Sequence, residues 1–175
     1  MAVYNAICVS TLLYACEGWT PYHRHIRVLE AFHIRCLQTT RYVHWWDKIP
    51  RVEICRWAGT TCLETILLRR HLRWVGHVIR MLGNRRPRRL LYSKLACGWR
   101  SVGSQKKRFK DHIMSSLSKY GIPFDRLVEV ARDQEEWRTV CDKGLAAFEE
   151  QYIDVAEVKR MRRHQQRNPP PPTTT

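Results

Sequence analysis

The residues best suited to chemistry are cations crowded into one part of the chain. Residues 65–110 contain 14 Lys and Arg and no Asp or Glu, and they account for most of the formal net charge of +15 on 175 residues. Guanidinium groups pair bidentately with phosphate oxygens and need no particular base sequence to do so. This segment therefore predicts contact with a polyanion, with the RNA or DNA backbone as the first candidate. The alternative is a solvated surface that keeps the protein in solution.

The predicted nucleic-acid contacts combine this charge with two aromatic rings, Trp99 and Phe109, which interleave with the cations and can stack on exposed bases. Trp99 lies between Gly98 and Arg100, so we expect it on a loop, where an indole can stack on an exposed base. The predicted contact residues are Arg69, Arg73, His77, Arg80, Arg85, Arg86, Arg88, Arg89, Trp99, Arg100, Lys106, Lys107, Arg108 and Lys110.

Metal binding and catalysis are not predicted. The seven cysteines are odd in number and scattered, which favours reduced, mostly buried thiols in an intracellular protein of the nucleus or cytoplasm. No Cys/His spacing is typical of structural zinc, and no cofactor is implied. The acidic residues do not form the cluster that metal-dependent phosphoryl transfer needs, and no glycine-rich phosphate loop is present. An unrecognised Cys–His pair remains the enzymatic alternative.

Residues 62–81 are the helix that must position the first cations. Apolar side chains fall on one line of this helix and cations on the opposite side. Thr61 and Glu64 have the spacing of a capping box at its start. Gly76 in its interior costs about 1 kcal/mol relative to Ala, which predicts a close approach by another helix or by a nucleic-acid backbone. The cations on this helix are Arg69, Arg73, His77 and Arg80.

The whole pattern predicts a mainly α fold. We expect an irregular helical bundle with a basic Gly/Arg loop after Gly83, a long C-terminal helix and a disordered Pro/Thr tail at 168–175. No stretch approaches the roughly 18 apolar residues of a membrane span. Further helices are predicted at 3–16, 25–37, 52–57, 106–120 and 133–163. Core packing is expected for Trp19, Trp45, Trp46, Trp57, Trp74 and Trp137.

The last helix suggests a protein-interaction alternative. Residues 125–157 are acidic, whereas 158–175 carry five cations and no acid. Apolar residues repeat at alternating spacings of four and three, as in a coiled coil. This seam predicts self-association or docking on the basic block, and it comprises Cys141, Leu145, Phe148, Tyr152 and Val155.

Five segments in order resemble the C-terminal, post-palm region of reverse transcriptases from non-long-terminal-repeat retrotransposons. Residues 12–20 (LLYACEGWT) are similar to that family's LLYG(S/C)E(T/S)WT, and 33–37 to H-x-R-C-L. Residues 72–81 (LRWVGHVIRM) resemble LRWxGHVxRM throughout. Residues 98–111 resemble GxRxxGxPxxR(W/Y)xD, and 133–137 the AxDRxxWR entry to the last helix.

The resemblance implies a thumb-like region, residues 1–124, that grips template RNA and primer, followed by the helical segment 125–167. A polymerase palm domain becomes a candidate partner. The segment with the catalytic aspartates has no counterpart, so no polymerase activity is expected. A degenerate element remnant without activity is the further alternative. Gln105, Ala15 and Gln38 depart from the family pattern. Residues carried over by matching are Arg73, Trp74, Gly76, His77, Arg80, Gly98, Arg100, Gly103, Arg108 and Asp111.

Overall fold

Helices form all the regular structure of the described chain. A computed structural model describes residues 1–92, 109–119 and 126–167, and these ranges contain no β-strand. The prediction of a mainly α, irregular helical bundle is confirmed. Within these ranges, no helix has the length and apolar character needed to cross a membrane.

Eight helices, α1 to α8, follow in chain order within those ranges. The first, α1, joins a π-helical segment, Tyr4–Val9, to a short α-helical turn, Ser10–Leu12. Short 3-10 turns form at Cys16–Gly18 and Trp45–Asp47. The remaining helices are α2 (His23–Thr40), α3 (Arg51–Trp57), α4 (Leu63–Arg80), α5 (Arg86–Tyr92), α6 (Phe109–Lys119), α7 (Leu127–Arg132) and α8 (Gln134–Arg167).

Helix α4 lies at the centre of the bundle because most of its circumference is apolar. Leu72, Val75 and Ile79 are buried in a cluster that also takes side chains from α5, α6, α7 and α8. Leu63 and Leu67, near its start, pack in a second cluster with α1. The two predicted segments, 1–124 and 125–167, therefore contribute to one core. One strip of α4 remains exposed.

Gly76 allows α8 to cross α4 at close range. A Cβ at this position would lie 2.2 Å from Nε1 of Trp137. The same indole N–H donates a hydrogen bond to the carbonyl oxygen of Leu72 at 3.2 Å. Of the two close approaches that the sequence predicts for Gly76, the one by another helix is the one observed.

The start of α4 is capped from a different helix, so the predicted Thr61–Glu64 capping box is wrong. The N-cap residue is Cys62, which makes no side-chain capping bond. Instead, Oε2 of Glu30 on α2 accepts the backbone N–H of Leu63 at 2.9 Å. The Glu30 side chain is buried, so a tertiary contact supplies the acceptor.

The basic stretch after Gly83 is partly helical, whereas the sequence predicts a loop there. Residues 86–92 form α5, with Pro87 in the first turn, where its missing N–H costs nothing. Leu91 is buried against α4 and draws this helix onto the core. The rest of the predicted Gly/Arg loop, which contains Gly98 and Gly103, and the predicted disordered tail lie outside the described residues.

Three of the six tryptophans expected in the core are exposed. The prediction holds for Trp137, which is 4% exposed, and Trp19 and Trp74 are half-buried against hydrophobic clusters. The wrongly predicted three are Trp45, Trp46 and Trp57, which are 82%, 57% and 47% exposed. The first two lie on a single 3-10 turn between α2 and α3.

The predicted seam of α8 is divided between two environments. Cys141 and Leu145 are buried in the cluster around α4, and Phe148 packs against it. Val155 is 51% exposed. Tyr152 is half-buried beside the cavity between α2, α3 and α8. Most of the seam is thus occupied within the chain itself, and Val155 at its end is open.

Candidate nucleic-acid interface

The exposed strip of α4 is a row of cationic side chains. Arg69, Arg73 and His77 are exposed and lie four residues apart, so they follow one another at about 6 Å along the helix axis. Burial of the rest of the helix fixes the direction in which this row faces. The amphipathic pattern of the sequence predicts this row, and the structure places these three side chains together.

Arg80 and Arg88 are predicted contact residues that make bonds within the fold. Nη1 of Arg80 donates to the carbonyl oxygen of Ala131 at 2.9 Å, and the side chain is half-buried. Nη1 of Arg88 donates to the carbonyl oxygen of Met81. These two side chains therefore hold the bundle together as well as adding charge to it.

These bonds belong to a wider pattern in which arginines donate to carbonyls at helix ends. Arg70 donates to the oxygen of Leu13, the C-cap residue of α1, at 2.8 Å. Met81 is the C-cap residue of α4, and Ala131 lies in the last turn of α7. Carbonyls there lack helical partners and lie at the negative end of the helix dipole, where a cation is favoured.

The remaining predicted contact residues fall into two groups. Arg85, Arg86 and Arg89 are exposed at the start and along the outer side of α5, and Lys110 is half-exposed near the start of α6. The other group lies outside the described residues and comprises Trp99, Arg100, Lys106, Lys107 and Arg108.

Acidic side chains of the described residues do not neutralise the cations from Arg69 to Arg89 by ion pairing; the pair observed in these ranges is Arg56–Glu53. Arg69 does act electrostatically on Glu149 of α8. Burial raises the pKa of the Glu149 carboxyl, and the positive charge of Arg69 partly opposes this. Docking of the acidic helix thus places one carboxylate near one end of the row.

The far end of α8 carries cations that the predicted contact set omits. All the side chains from residue 157 to residue 167 are exposed. The signal in the sequence is the absence of any acid after Glu157. The basic residues there are Lys159, Arg160, Arg162, Arg163 and Arg167.

The buried histidines have structural partners. His71 is fully buried, and its Nε2 lies 2.7 Å from the carbonyl oxygen of Cys16. The ring of His112 packs edge-on against it, with centroids 5.2 Å apart. Within the described ranges, no three His, Cys, Asp or Glu side chains are grouped as metal ligands.

One cavity of about 240 Å³ lies between α2, α3 and α8 and contains two thiols. Burial raises the pKa of Cys55 to about 12 and that of Cys62 to about 11. Both thiols are therefore protonated near neutral pH, whereas the thiolate is the nucleophilic form. The polar lining of the cavity also includes the capping carboxylate of Glu30 and the phenol of Tyr152.

No protein-family model, no curated protein and no solved structure matches the chain.

Proposed function

We propose that this chain is a non-catalytic, helical nucleic-acid-binding module that contacts the phosphate backbone of RNA or DNA. The observation that carries the proposal is the exposed row of Arg69, Arg73 and His77 on α4. None of the three forms an ion pair with a carboxylate among the described residues, although Glu149 lies near Arg69 at one end. Unpaired cations in a row attract a polyanion without reading its sequence, so binding is weakly sequence-specific.

The resemblance to the post-palm region of non-long-terminal-repeat reverse transcriptases gives the proposal its particular form. On this hypothesis, the module grips template RNA and primer beside a polymerase palm domain, inside the nucleus or cytoplasm. Arg73 and His77 belong both to the resembling segment and to the exposed row, which supports placing the backbone contact there.

The salt dependence of binding tests the electrostatic origin of the contact. If about five phosphates are neutralised, the slope of log affinity against log salt is about −4 to −5 on duplex and shallower on single strands. We would measure it by fluorescence anisotropy with labelled RNA, DNA and RNA–DNA duplexes. A slope near zero contradicts the proposal.

Charge reversal locates the contact. Arg69→Glu combined with Arg73→Glu should abolish binding at moderate salt while leaving the circular dichroism spectrum unchanged. The matched control is Arg24→Glu with Arg27→Glu, which changes the net charge equally at two exposed positions of α2. Equal losses in both double variants would mean that net charge alone drives binding and that α4 is not the contact face.

Self-association is a second candidate function, favoured by the outer end of α8. Val155, Val158 and Met161 are 51%, 44% and 59% exposed on one stretch of this helix. Sedimentation velocity over a range of concentrations tests it: a dimer that forms without nucleic acid and is lost in Val158→Lys supports this candidate. A monomer at all concentrations rejects it.

A further inference from the structure

The turn between α2 and α3 displays a cluster of aromatic rings that the predicted contact set does not include. Tyr42, Trp45 and Trp46 are 87%, 82% and 57% exposed. Large aromatic side chains normally contribute their surface to a core or an interface. Three of them exposed within five residues therefore indicate that this turn, residues 42–48, meets another molecule.

The rings are held in a fixed arrangement. His44 stacks on Trp46 with centroids 4.3 Å apart and an interplanar angle of 19°. Trp45 stands edge-on to Trp46 at 5.7 Å. One face of Trp46 is thus covered within the turn, while the indole of Trp45 stays open to solvent.

Two hydrogen bonds between His44 and Asp47 fix the turn that carries these rings. The carboxylate of Asp47 accepts the backbone N–H of His44 at 2.7 Å, and the N–H of Asp47 donates to the oxygen of His44 at 3.2 Å. Tyr42 and Lys48, at the two ends, adopt left-handed backbone conformations with φ of 54° and 52°. Side chains other than Gly adopt such values rarely, so the surrounding structure must hold them.

The charges around the turn indicate which kind of molecule it meets. Lys48 lies on the turn, Arg41 precedes it and Arg51 follows it, and all three are exposed. Arg41 also donates to the carbonyl oxygen of Trp57, and Arg51 acts electrostatically on Glu30. Asp47 is the one acidic residue between positions 31 and 52, and its carboxylate is engaged by His44. Open aromatic faces beside cations that form no ion pair among the described residues match the combination of flat bases and phosphates in a single strand.

We infer that residues 42–48 form a stacking platform for unpaired bases of single-stranded RNA or DNA, with Trp45 as the principal ring. This inference rests on the proposed function and adds a second contact to it: α4 binds phosphate, and the turn distinguishes a single strand from a duplex. Bases paired in a duplex have no free face for Trp45.

The test compares the unaltered protein with one double variant of the full chain, in which both Trp45→Ala and Trp46→Ala are made. The probes are a single-stranded oligothymidine, a duplex of equal length and an abasic strand of equal length. We expect about a tenfold or greater loss of affinity for oligothymidine, little change for the duplex, and weak wild-type binding to the abasic strand. Oligothymidine should also quench the wild-type tryptophan fluorescence.

Two further variants keep the test decisive. Trp45→Phe with Trp46→Phe retains aromatic rings and should recover most of the affinity, even if the alanine variant folds poorly. Tyr14→Ala removes an aromatic ring that is 79% exposed in another segment and should bind as the wild type does.

The outcomes separate this inference from the proposed function. Unchanged oligothymidine affinity in the alanine variant, with binding still lost in the α4 charge-reversal variant, overturns the platform and assigns the turn to a protein partner. Binding of neither strand nor duplex by the wild type overturns both. Ring-dependent binding with no salt dependence overturns the phosphate contact and supports the platform.

Discussion

The carboxylate of Glu30 on α2 caps the start of α4 by accepting the backbone N–H of Leu63 at 2.9 Å. The acceptor and donor are 33 residues apart, and the bond is buried. Because the first N–H groups of a helix lack partners within it, this bond supplies an acceptor that the residues next to α4 do not. It couples α2 to the helix that presents Arg69, Arg73 and His77.

Loss of this cap should destabilise the fold. We expect Glu30→Ala to lower the free energy of unfolding by about 2 kcal/mol, because the Leu63 N–H is left buried without an acceptor. Glu64→Ala removes the carboxylate of the capping box that local sequence predicts and should cost less than about 1 kcal/mol. Urea unfolding measures both, and equal losses would contradict the assignment of the cap to Glu30.

The ionisation of Glu30 should make the free energy of unfolding depend on pH. Burial raises the pKa of this carboxyl above its ordinary value of 4.5, although hydrogen bonds from the backbone N–H groups of Leu63 and Glu64 oppose this. The folded state therefore keeps the proton to higher pH than the unfolded chain, and this group's contribution to stability falls as pH rises from 4.5 through the folded pKa. Glu30→Gln, which retains an acceptor oxygen, should remove that part of the profile. An unchanged profile would contradict the prediction.

His71 and His33 should make stability depend on pH in the opposite direction, in a range of higher pH. Burial lowers the pKa of each imidazole below its ordinary value of 6.5. Below 6.5 the unfolded chain binds a proton that the folded state does not, so stability falls as pH drops from 6.5 towards the folded pKa. The fall is at most about 1.4 kcal/mol per pH unit for each histidine. Urea unfolding of His71→Gln, which retains a donor for the oxygen of Cys16, should show a shallower dependence, whereas the wild-type slope would exclude His71 as its source.

Gly76 should not tolerate a methyl group. Alanine is favoured over glycine within a helix by about 1 kcal/mol, but the added Cβ would lie 2.2 Å from the indole of Trp137. We expect the clash to prevail, with a net loss of about 1–3 kcal/mol in thermal or urea unfolding. Gly83→Ala, in a turn outside the helix, controls for the added methyl group alone, since no atom lies within 4 Å of its added Cβ. A stabilised Gly76→Ala would show that α8 does not cross α4 here.

Arg80 and Arg73 should respond differently to truncation, although both lie on the same helix. Arg80→Ala removes the bond to the oxygen of Ala131 and should lower stability by about 1–2 kcal/mol. Arg73→Ala, at an exposed position, should stay within about 0.5 kcal/mol of wild type. Nucleic-acid affinity should nonetheless fall in Arg73→Ala. Comparable stability losses in the two variants would contradict the structural role of Arg80.

Hydrophobic spacing and residue propensity predict most of the helices correctly, but they predict the contacts between helices less well. The apolar line of residues 62–81 predicts α4, and its exposed cations follow from the same spacing. Thr61 and Glu64 have the sequence spacing of a capping box but do not form one. The acceptor at the start of α4 is instead the carboxylate of Glu30 on α2. The loop prediction fails at residues 86–92 because burial of Leu91 against α4 stabilises a short helix that propensity near Pro87 does not reveal.

The sequence by itself determined that the chain is helical and where its charge collects, since period and residue type act over a few neighbouring residues. Tertiary structure decided which cations point outward and which bind carbonyls, as Arg80 does with Ala131 across 51 residues. It also left Trp45 in solvent, where hydrophobicity predicts burial. These outcomes depend on how helices distant in sequence pack against one another, which residue type and local spacing do not determine.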